Sequence, residues 1–210
     1  MRWYAMQKGG AIYMKRLFFD VSTNVMYVAY AKDHIMVDFS IRIAQRDHAK
    51  YLVDRIDQVL RRNKLKLTDI DEIIIGIGPG SYTGLRIAVM VGKMFAYTKN
   101  ITLRTVSSLF FMTSGYEGKV IATIDARRGY VFSAIYENGK TLVEDGYRLL
   151  SEVYEDPRSK GAQMVFINDR NFEVCPKCIW EKSVIVKNPH DLIPNYLRIT
   201  EAERNYDQKS

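Results

Sequence analysis

The sequence predicts an α/β protein built from two similar lobes, and three observations support this fold class. The first half combines short apolar strand patterns with two helix patterns. The second half begins with another three-strand pattern of nearly the same spacing. The composition is that of a globular protein, with 47% hydrophobic and 26% charged residues in a chain of 210. Such a length suits one large domain or two small lobes.

The first lobe opens with three strand patterns that predict an antiparallel meander. A helix follows, with Leu52 and Ile56 at helical spacing, and then a continuous apolar strand of the kind that is covered on both faces. A second helix comes after a glycine-rich turn. The predicted strands are Arg16–Asp20, Met26–Ala31, Ile35–Ile43 and Glu72–Ile77, and the predicted helices are Ala49–Asn63 and Thr83–Tyr97.

The second lobe is predicted to repeat the strand unit of the first. Placing Asp20 on Asp125 brings the turn at Asp33 onto Asn138 without a gap, although residue identity is slight. A duplicated lobe explains this repeat, and chance similarity of two meanders is the alternative. The predicted elements are a helix at Ser107–Ser114 and strands at Lys119–Asp125, Tyr130–Tyr136 and Thr141–Tyr147. We divide the chain into an N-terminal extension (1–13), a first lobe (14–104), a second and possibly trimmed lobe (105–200) and a polar tail (201–210).

Charge and cysteine content limit the location and partners of the protein. Only two cysteines occur, and no apolar run approaches the roughly 18 residues of a membrane span, so we expect a cytoplasmic protein without membrane contact. The net charge is +7, but basic residues are scattered among acidic ones. The densest basic group, between Arg61 and Lys66, is either a solvated helix end or a contact with RNA.

The strongest local motif is the loop from Gly78 to Arg86, which follows the apolar strand and opens the second helix. Free N–H groups at such a helix start suit an anion, but no Gly-Lys-Ser/Thr follows, so the loop is not a P-loop. It is either a structural turn or a contact with a phosphate or a partner. The helix after it has almost no polar face, which predicts a partner chain over Val91 and Met94 unless the first helix covers it.

Two aspartates and two cysteines are further candidates for chemistry. Asp20 and Asp125 each end a strand and, if they faced across a cleft, could hold magnesium and a nucleotide phosphate, with Arg127 and Arg128 near the anion. Turn capping is the alternative role. Cys175 and Cys178 resemble half of a zinc ribbon, but no second pair exists, and the three histidines lie far apart in sequence, so we expect no metal site and incidental cysteines.

The segment Gly76–Ala88 (GIGPGSYTGLRIA), followed by Asp125–Val131 (DARRGYV), resembles the TsaB (YeaZ) family. The resemblance runs from Met14 to about Arg204. It implies a two-lobed actin-like ATPase (ASKHA, ribonuclease H-like) fold with duplicated lobes. It also implies a scaffold or activator subunit, without cofactors of its own, that binds the TsaD protein through its first-lobe helices. TsaE joins that complex, which uses ATP and magnesium to form N6-threonylcarbamoyladenosine in tRNA.

The predicted function is therefore a non-catalytic binding module, which could form a homodimer when isolated. A small kinase of the same fold, binding Mg-ATP through Asp20 and Asp125, is the alternative, and a standalone RNA-binding protein is a third possibility. A histidine metal site and a glycine-rich nucleotide cleft, which the catalytic subunit needs, are missing from the sequence. The predicted partner-binding residues are Gly78, Pro79, Gly80, Ser81, Tyr82, Thr83, Gly84, Arg86, Val91, Met94, His48, Leu52 and Ile56.

Overall fold

The structure, a computed structural model, describes residues 13–43 and 47–197, apart from the side chain of His48. The predicted extension (1–13, except Tyr13), the predicted tail (201–210) and the predicted contact of the His48 side chain lie outside this described part. In chain order the elements are β1 (Lys15–Asp20), β2 (Val25–Lys32), β3 (Ile35–Ile43), α1 (His48–Arg62), β4 (Glu72–Gly76), α2 (Tyr82–Lys99), β5 (Thr102–Val106), α3 (Ser108–Thr113), β6 (Lys119–Asp125), β7 (Tyr130–Glu137), β8 (Lys140–Leu149), α4 (Leu150–Glu155), β9 (Gln163–Phe166), α5 (Pro176–Lys182) and β10 (Val184–Ile185).

Two sheets with the same central strand order confirm the predicted two-lobed α/β fold. The first sheet has the order β10-β5-β4-β1-β2-β3, and the second has the order β8-β7-β6-β9. In each sheet a three-strand antiparallel meander is extended by one strand parallel to the first strand of the meander. Because both pairing patterns agree, duplication explains the repeated strand spacing better than chance does. Within the described residues, the first sheet has six strands and the second has four.

Strands β5 and β10 were not recognised in the sequence as parts of the first sheet. Strand β5 lies parallel to β4, with Ile75 opposite Thr105, and so continues through the predicted lobe boundary at Thr105. Strand β10 comes from the end of the second lobe and pairs antiparallel with β5 at the edge of the first sheet. The chain therefore returns to the first lobe after completing the second, a connection that strand-length patterns do not reveal.

The core divides at the first sheet. On one face, Leu17 and Phe19 of β1 pack with Leu52 and Ile56 of α1 and with the buried side of α2. On the other face, Phe18 packs with α3, whose six residues are all buried. The inner face of the second sheet joins the same cluster through β6 and β7. Helix α3 therefore lies between the two sheets and joins the lobes through one hydrophobic core.

The two hairpins differ by one residue in register. In the first, Asp20 lies opposite Tyr27. The gapless repeat predicts Asp125 opposite Phe132, but Asp125 lies opposite Val131. Because side chains alternate along a strand, this shift reverses the faces of the two equivalent residues. Asp20 shares the α3 face with Phe18, whereas Ile124 takes that face in β6 and Asp125 points away from it.

Candidate functional site

The glycine-rich loop packs the start of α2 closely against the turn after β1. The amide of Ser81 donates to the carbonyl of Ser22 at 2.6 Å, and the amide of Gly78 donates to Ser108 Oγ at 2.9 Å. Ser81 caps α2, because its Oγ accepts the Gly84 amide at 3.3 Å. These amides are used within the protein, which favours the structural-turn interpretation over an anion cradle.

Two glycines of this loop are required by the approach of neighbouring backbone. A Cβ atom at Gly84 would lie 2.0 Å from the Val21 carbonyl oxygen, and one at Gly80 would lie 2.3 Å from that of Ser22. Gly78, Pro79 and Gly84 are buried, whereas Ser81, Tyr82, Thr83 and Arg86 are exposed. Within the loop from Gly78 to Arg86, the second group of predicted contact residues is therefore available to a partner at the surface.

Asp20 and Asp125 do not form the pair that a magnesium site would need. Asp20 is fully buried and accepts hydrogen bonds from the amide and hydroxyl of Ser22 and, at 2.5 Å, from Ser108 Oγ. Asp125 lies in the second sheet, on the face that points away from α3. It is exposed there and accepts the Arg127 amide at 2.9 Å. Arg127 and Arg128 are exposed in left-handed conformations at φ 66° and 57°. The first aspartate therefore braces the lobe contact, and the second caps its own turn.

Three predicted partner-binding residues belong instead to the core of the protein. Leu52 is fully buried, Ile56 is 2% exposed, and Val91 is 8% exposed. All three pack beneath the helices with Phe19 and Ile75. The sequence shows that these positions are apolar. In the structure, the faces of α1 and α2 on which they lie pack against the first sheet. The prediction that they contact a partner is therefore corrected.

A different row of α2 remains at the surface. Tyr82, Arg86, Met90, Met94 and Tyr97 follow one another at intervals of four or three residues and are all exposed. Met90 and Tyr97 are 65% and 71% exposed, which is high for large apolar side chains. The guanidinium of Arg86 lies 5.4 Å from the centre of the Tyr82 ring. We call these five residues the α2 stripe; it runs for about 22 Å along the helix.

The C-terminal part of the described chain covers one flank of α2. The Tyr196 ring stacks on Tyr82 at a centroid distance of 4.7 Å, and the His190 ring packs against Tyr97 at 5.0 Å. Lys93 Nζ donates to the His190 carbonyl at 2.9 Å. The sequence does not indicate this cover, because the segment has no regular periodicity. The exposed apolar surface of α2 is therefore narrower than the sequence of this almost wholly apolar helix predicts. Met90 and Met94 lie at its centre.

A cavity of about 230 Å³ lies between the lobes and was also missed. It is lined in part by Ser107, Tyr136, Asp145 and Lys182. Burial raises the pKa of Asp145, which accepts hydrogen bonds from Ser107 Oγ at 2.9 Å and from the Tyr136 hydroxyl at 3.1 Å. Lys182 Nζ donates to Thr141 Oγ1 at 2.7 Å. Asp145 and Lys182 are therefore both engaged within the protein, and the bond from Ser107 to Asp145 links the start of α3 to β8.

Two structural properties bear on the possible classes of function. Within residues 13–43 and 47–197, no three His, Cys, Asp or Glu side chains come together in a way that could hold a metal ion. Among the helices of the same residues, none is long and apolar enough to cross a membrane. The α2 stripe is the exposed apolar surface on the helix for which the sequence predicts a partner.

Comparison with known proteins identifies the family. A family model described as TsaD, tRNA N6-adenosine threonylcarbamoyltransferase, matches residues 41–175, more than half of the chain. The chain is 25% identical to tRNA threonylcarbamoyladenosine biosynthesis protein TsaB of Bacillus subtilis, over 92% of this chain and 98% of that protein. It is 28% identical to TsaB of Escherichia coli, over 86% of this chain and 82% of that one.

A solved structure shows the same fold. The structure titled YeaZ from Pseudomonas aeruginosa superimposes with a TM-score of 0.69 at 21% sequence identity, covering 88% of this chain and 100% of that one. The fold and the sequence matches therefore agree with the resemblance carried by Gly76–Ala88. The chain belongs to the family described by the TsaD model and, within it, to the TsaB (YeaZ) proteins.

Proposed function

We propose that this protein is a non-catalytic subunit in the formation of N6-threonylcarbamoyladenosine in tRNA, and that it binds TsaD through the α2 stripe. The observation that carries the proposal is the exposure of Met90, Met94 and Tyr97 on a helix whose other face is core. The names of the TsaB relatives support the pathway. The tRNA and TsaE join through the complex, which works in the cytoplasm.

The residue types of the α2 stripe suit a protein partner. Tyrosine and arginine are enriched among the residues that dominate interface energies, and methionine adapts its shape to the surface that it meets. Val53 of the neighbouring α1 is 45% exposed and Ile193 is 73% exposed, so apolar surface is available on both helices and on the C-terminal segment. A related chain with equivalent helices could pair with this surface about a pseudo-twofold axis. The same pairing would allow a homodimer when TsaD is absent.

The geometry of the lobe contact supports a non-catalytic role. A kinase of this fold would need Asp20 and Asp125 to converge on Mg-ATP, but they lie on opposite strand faces, and Asp20 is saturated by hydroxyl and amide donors. In our proposal the ATP and magnesium of the pathway are bound by the partner subunits, and this chain contributes no cofactor.

The proposal is tested with Met90→Glu, because a carboxylate at the centre of the α2 stripe would have to be desolvated in a complex. Tyr154→Glu is the matched control, since Tyr154 is 61% exposed on α4, in the second lobe. We expect Met90→Glu to weaken TsaD binding at least about tenfold, or about 1.4 kcal/mol, in titration calorimetry. The control and the melting temperatures of both variants should match the wild type. Val91→Glu is unsuitable, because it would place a charge in the core.

Two outcomes would contradict the proposal. Wild-type affinity of Met90→Glu would exclude the α2 stripe as the binding surface. Failure of the wild-type protein to co-elute with TsaD of the same organism, even with tRNA, nucleotide and TsaE added, would exclude the subunit role. Tight binding of Mg-ATP to the isolated protein would then favour the kinase alternative.

A further inference from the structure

Two thiols lie in contact at the start of α5. Cys175 Sγ and Cys178 Sγ are 2.6 Å apart, and both cysteines are free and half-buried. Cys175 is the N-cap residue of α5, and its Sγ accepts the amide of Cys178 at 3.3 Å. Pro176 occupies the first position of the helix and is buried. The sulfurs are therefore held together by the helix start, and only small side-chain rotations separate them from a bond of about 2.05 Å.

This arrangement suits thiol–disulfide exchange better than it suits a structural zinc site or a stabilising disulfide. A structural zinc site needs about four ligands, whereas no third metal-ligating side chain joins the pair within residues 13–43 and 47–197. A disulfide that closes so short a loop contributes little to stability, because the entropic effect grows with the number of residues enclosed. Two cysteines separated by two residues are also the motif in which the thiols of disulfide oxidoreductases react.

The surroundings distinguish the two sulfurs. Burial, reinforced by a hydrogen bond and by charge repulsion from Cys175, raises the pKa of Cys178 to about 11. The Cys178 amide donates to Cys175 Sγ, which places Cys175 and not Cys178 at the cap position of the helix. Thiolates rather than thiols attack disulfides. Cys175 is therefore the attacking residue, and Cys178 is the residue that resolves the mixed disulfide.

We infer that Cys175 and Cys178 form a redox-active dithiol that exchanges with a small-molecule disulfide such as glutathione disulfide. The Cys175 thiolate bonds to one sulfur of glutathione disulfide, and the other sulfur leaves as a thiolate that takes up the proton Cys175 released. Cys178 then loses its proton and bonds to Cys175 Sγ, and the second glutathione leaves as a thiol. The protein dithiol is oxidised to one intramolecular disulfide, and one glutathione disulfide is reduced to two thiols. This activity is separate from the proposed binding to TsaD.

The test equilibrates the full chain in glutathione buffers of increasing oxidised fraction, traps free thiols by alkylation, and measures the intact mass. We expect the wild type to pass from two alkylated thiols to none in one step, as a monomer that has lost two hydrogens. Cys178→Ser should accumulate one glutathione adduct on Cys175. Cys175→Ser should react at least about tenfold more slowly under the same conditions. Serine is a good N-cap residue, so this variant retains its helix start.

Each other result overturns part or all of the inference. Two free thiols in fully oxidised glutathione, or disulfides only between chains, would exclude the redox pair. Equal adduct formation by the two serine variants would overturn the assignment of Cys175 as the attacking thiol. Zinc that co-purifies with the wild type and is lost in either variant would show that the pair is a metal half-site, shared between chains.

Discussion

The two lobes share a strand order but hold their first aspartate in opposite ways. In the first lobe, Asp20 is fully buried and bonded to Ser22 and Ser108. In the second lobe, Asp125 is exposed and caps a turn. The glycines of the loop at Gly80 and Gly84 allow α2 to approach the turn after β1, whereas a Cβ at Gly129 would meet nothing within 4 Å. The duplicated topology therefore does not preserve the environment of an equivalent residue.

Both lobes contribute to the core around α3, but the first lobe ties its turn to more distant elements. Its turn after β1 is closed by the start of α2 and by Ser108 of α3. The matching turn of the second lobe is held by the Asp125 cap and by the start of α4, where the Leu150 amide donates to the Gly129 carbonyl. We expect the first lobe to be sensitive to substitution at such positions and the second lobe to be tolerant.

The largest effect of a substitution on stability is expected at the first residue pair of the parallel strands, β1 with β4 and β6 with β9. Arg16 faces Glu72 in the first sheet, where Val120 faces Gln163 in the second. Glu72 is buried and accepts from Arg16 Nε at 2.6 Å and from Trp180 Nε1 at 2.8 Å. Removing it leaves the buried guanidinium of Arg16 without its carboxylate partner, so Glu72→Ala should lower the free energy of unfolding by about 3–5 kcal/mol.

The matched control is Gln163→Ala, at an exposed position that should change the free energy of unfolding by no more than about 0.5 kcal/mol. Urea unfolding followed by circular dichroism measures both variants. Similar losses at the two positions would mean that the ladders are equally constrained, which contradicts the contrast between the lobes.

The aspartates themselves give the next largest effect. Asp20→Ala leaves three hydrogen-bond donors in the buried lobe contact without their acceptor and should cost about 2–4 kcal/mol. Asp125→Ala removes a capping hydrogen bond from an exposed turn and should cost about 0.5–1 kcal/mol. Thermal or urea unfolding of the two variants compares equivalent positions directly. A costlier Asp125→Ala would show that the second turn, and not the first, supports the lobe contact.

The smallest effect is the pH dependence of stability. The contribution of an aspartate to the free energy of unfolding should change with pH in opposite directions in the equivalent edge strands β3 and β8. Hydrogen bonds from Arg62 lower the pKa of Asp38 in β3, whereas burial raises the pKa of Asp145 in β8. The stability from Asp38 is present above its unfolded-state pKa and is lost as pH falls through its folded-state value. The contribution of Asp145 is complete below its unfolded-state pKa and is lost as pH rises through its raised folded-state value.

At pH 7, Asp38→Asn should therefore lower the free energy of unfolding by about 0.2–1 kcal/mol, the range of partly exposed ion pairs. Asp145→Asn should raise it slightly, since asparagine still accepts from Ser107 and Tyr136 without the cost of burying a charge. Urea unfolding at a series of pH values measures both variants. Changes of the same sign in the two variants at pH 7 would contradict the assigned causes.

Much of the fold could be predicted from the sequence because it depends on local periodicity. The alternation in β3 and the helical spacing of Leu52 and Ile56 are set by backbone geometry, which neighbouring residues express directly. The glycine loop and the helix that follows it were also predicted, since glycine has specific backbone roles before a helix start. The partner-binding surface was predicted less well, because the sequence does not distinguish apolar residues that face the core from those that face the solvent.

The family, the duplicated strand units and the unusually apolar character of α2 can all be inferred from the sequence. The folded structure decided which residues of α2 remain exposed, because Tyr196 and His190 cover one flank of the helix and the sheet covers another. It also decided that β10 returns to the first sheet and that Asp125 faces away from the α3 cluster. The physical reason is that these features depend on contacts between distant segments and on a one-residue register. Local periodicity determines neither of them.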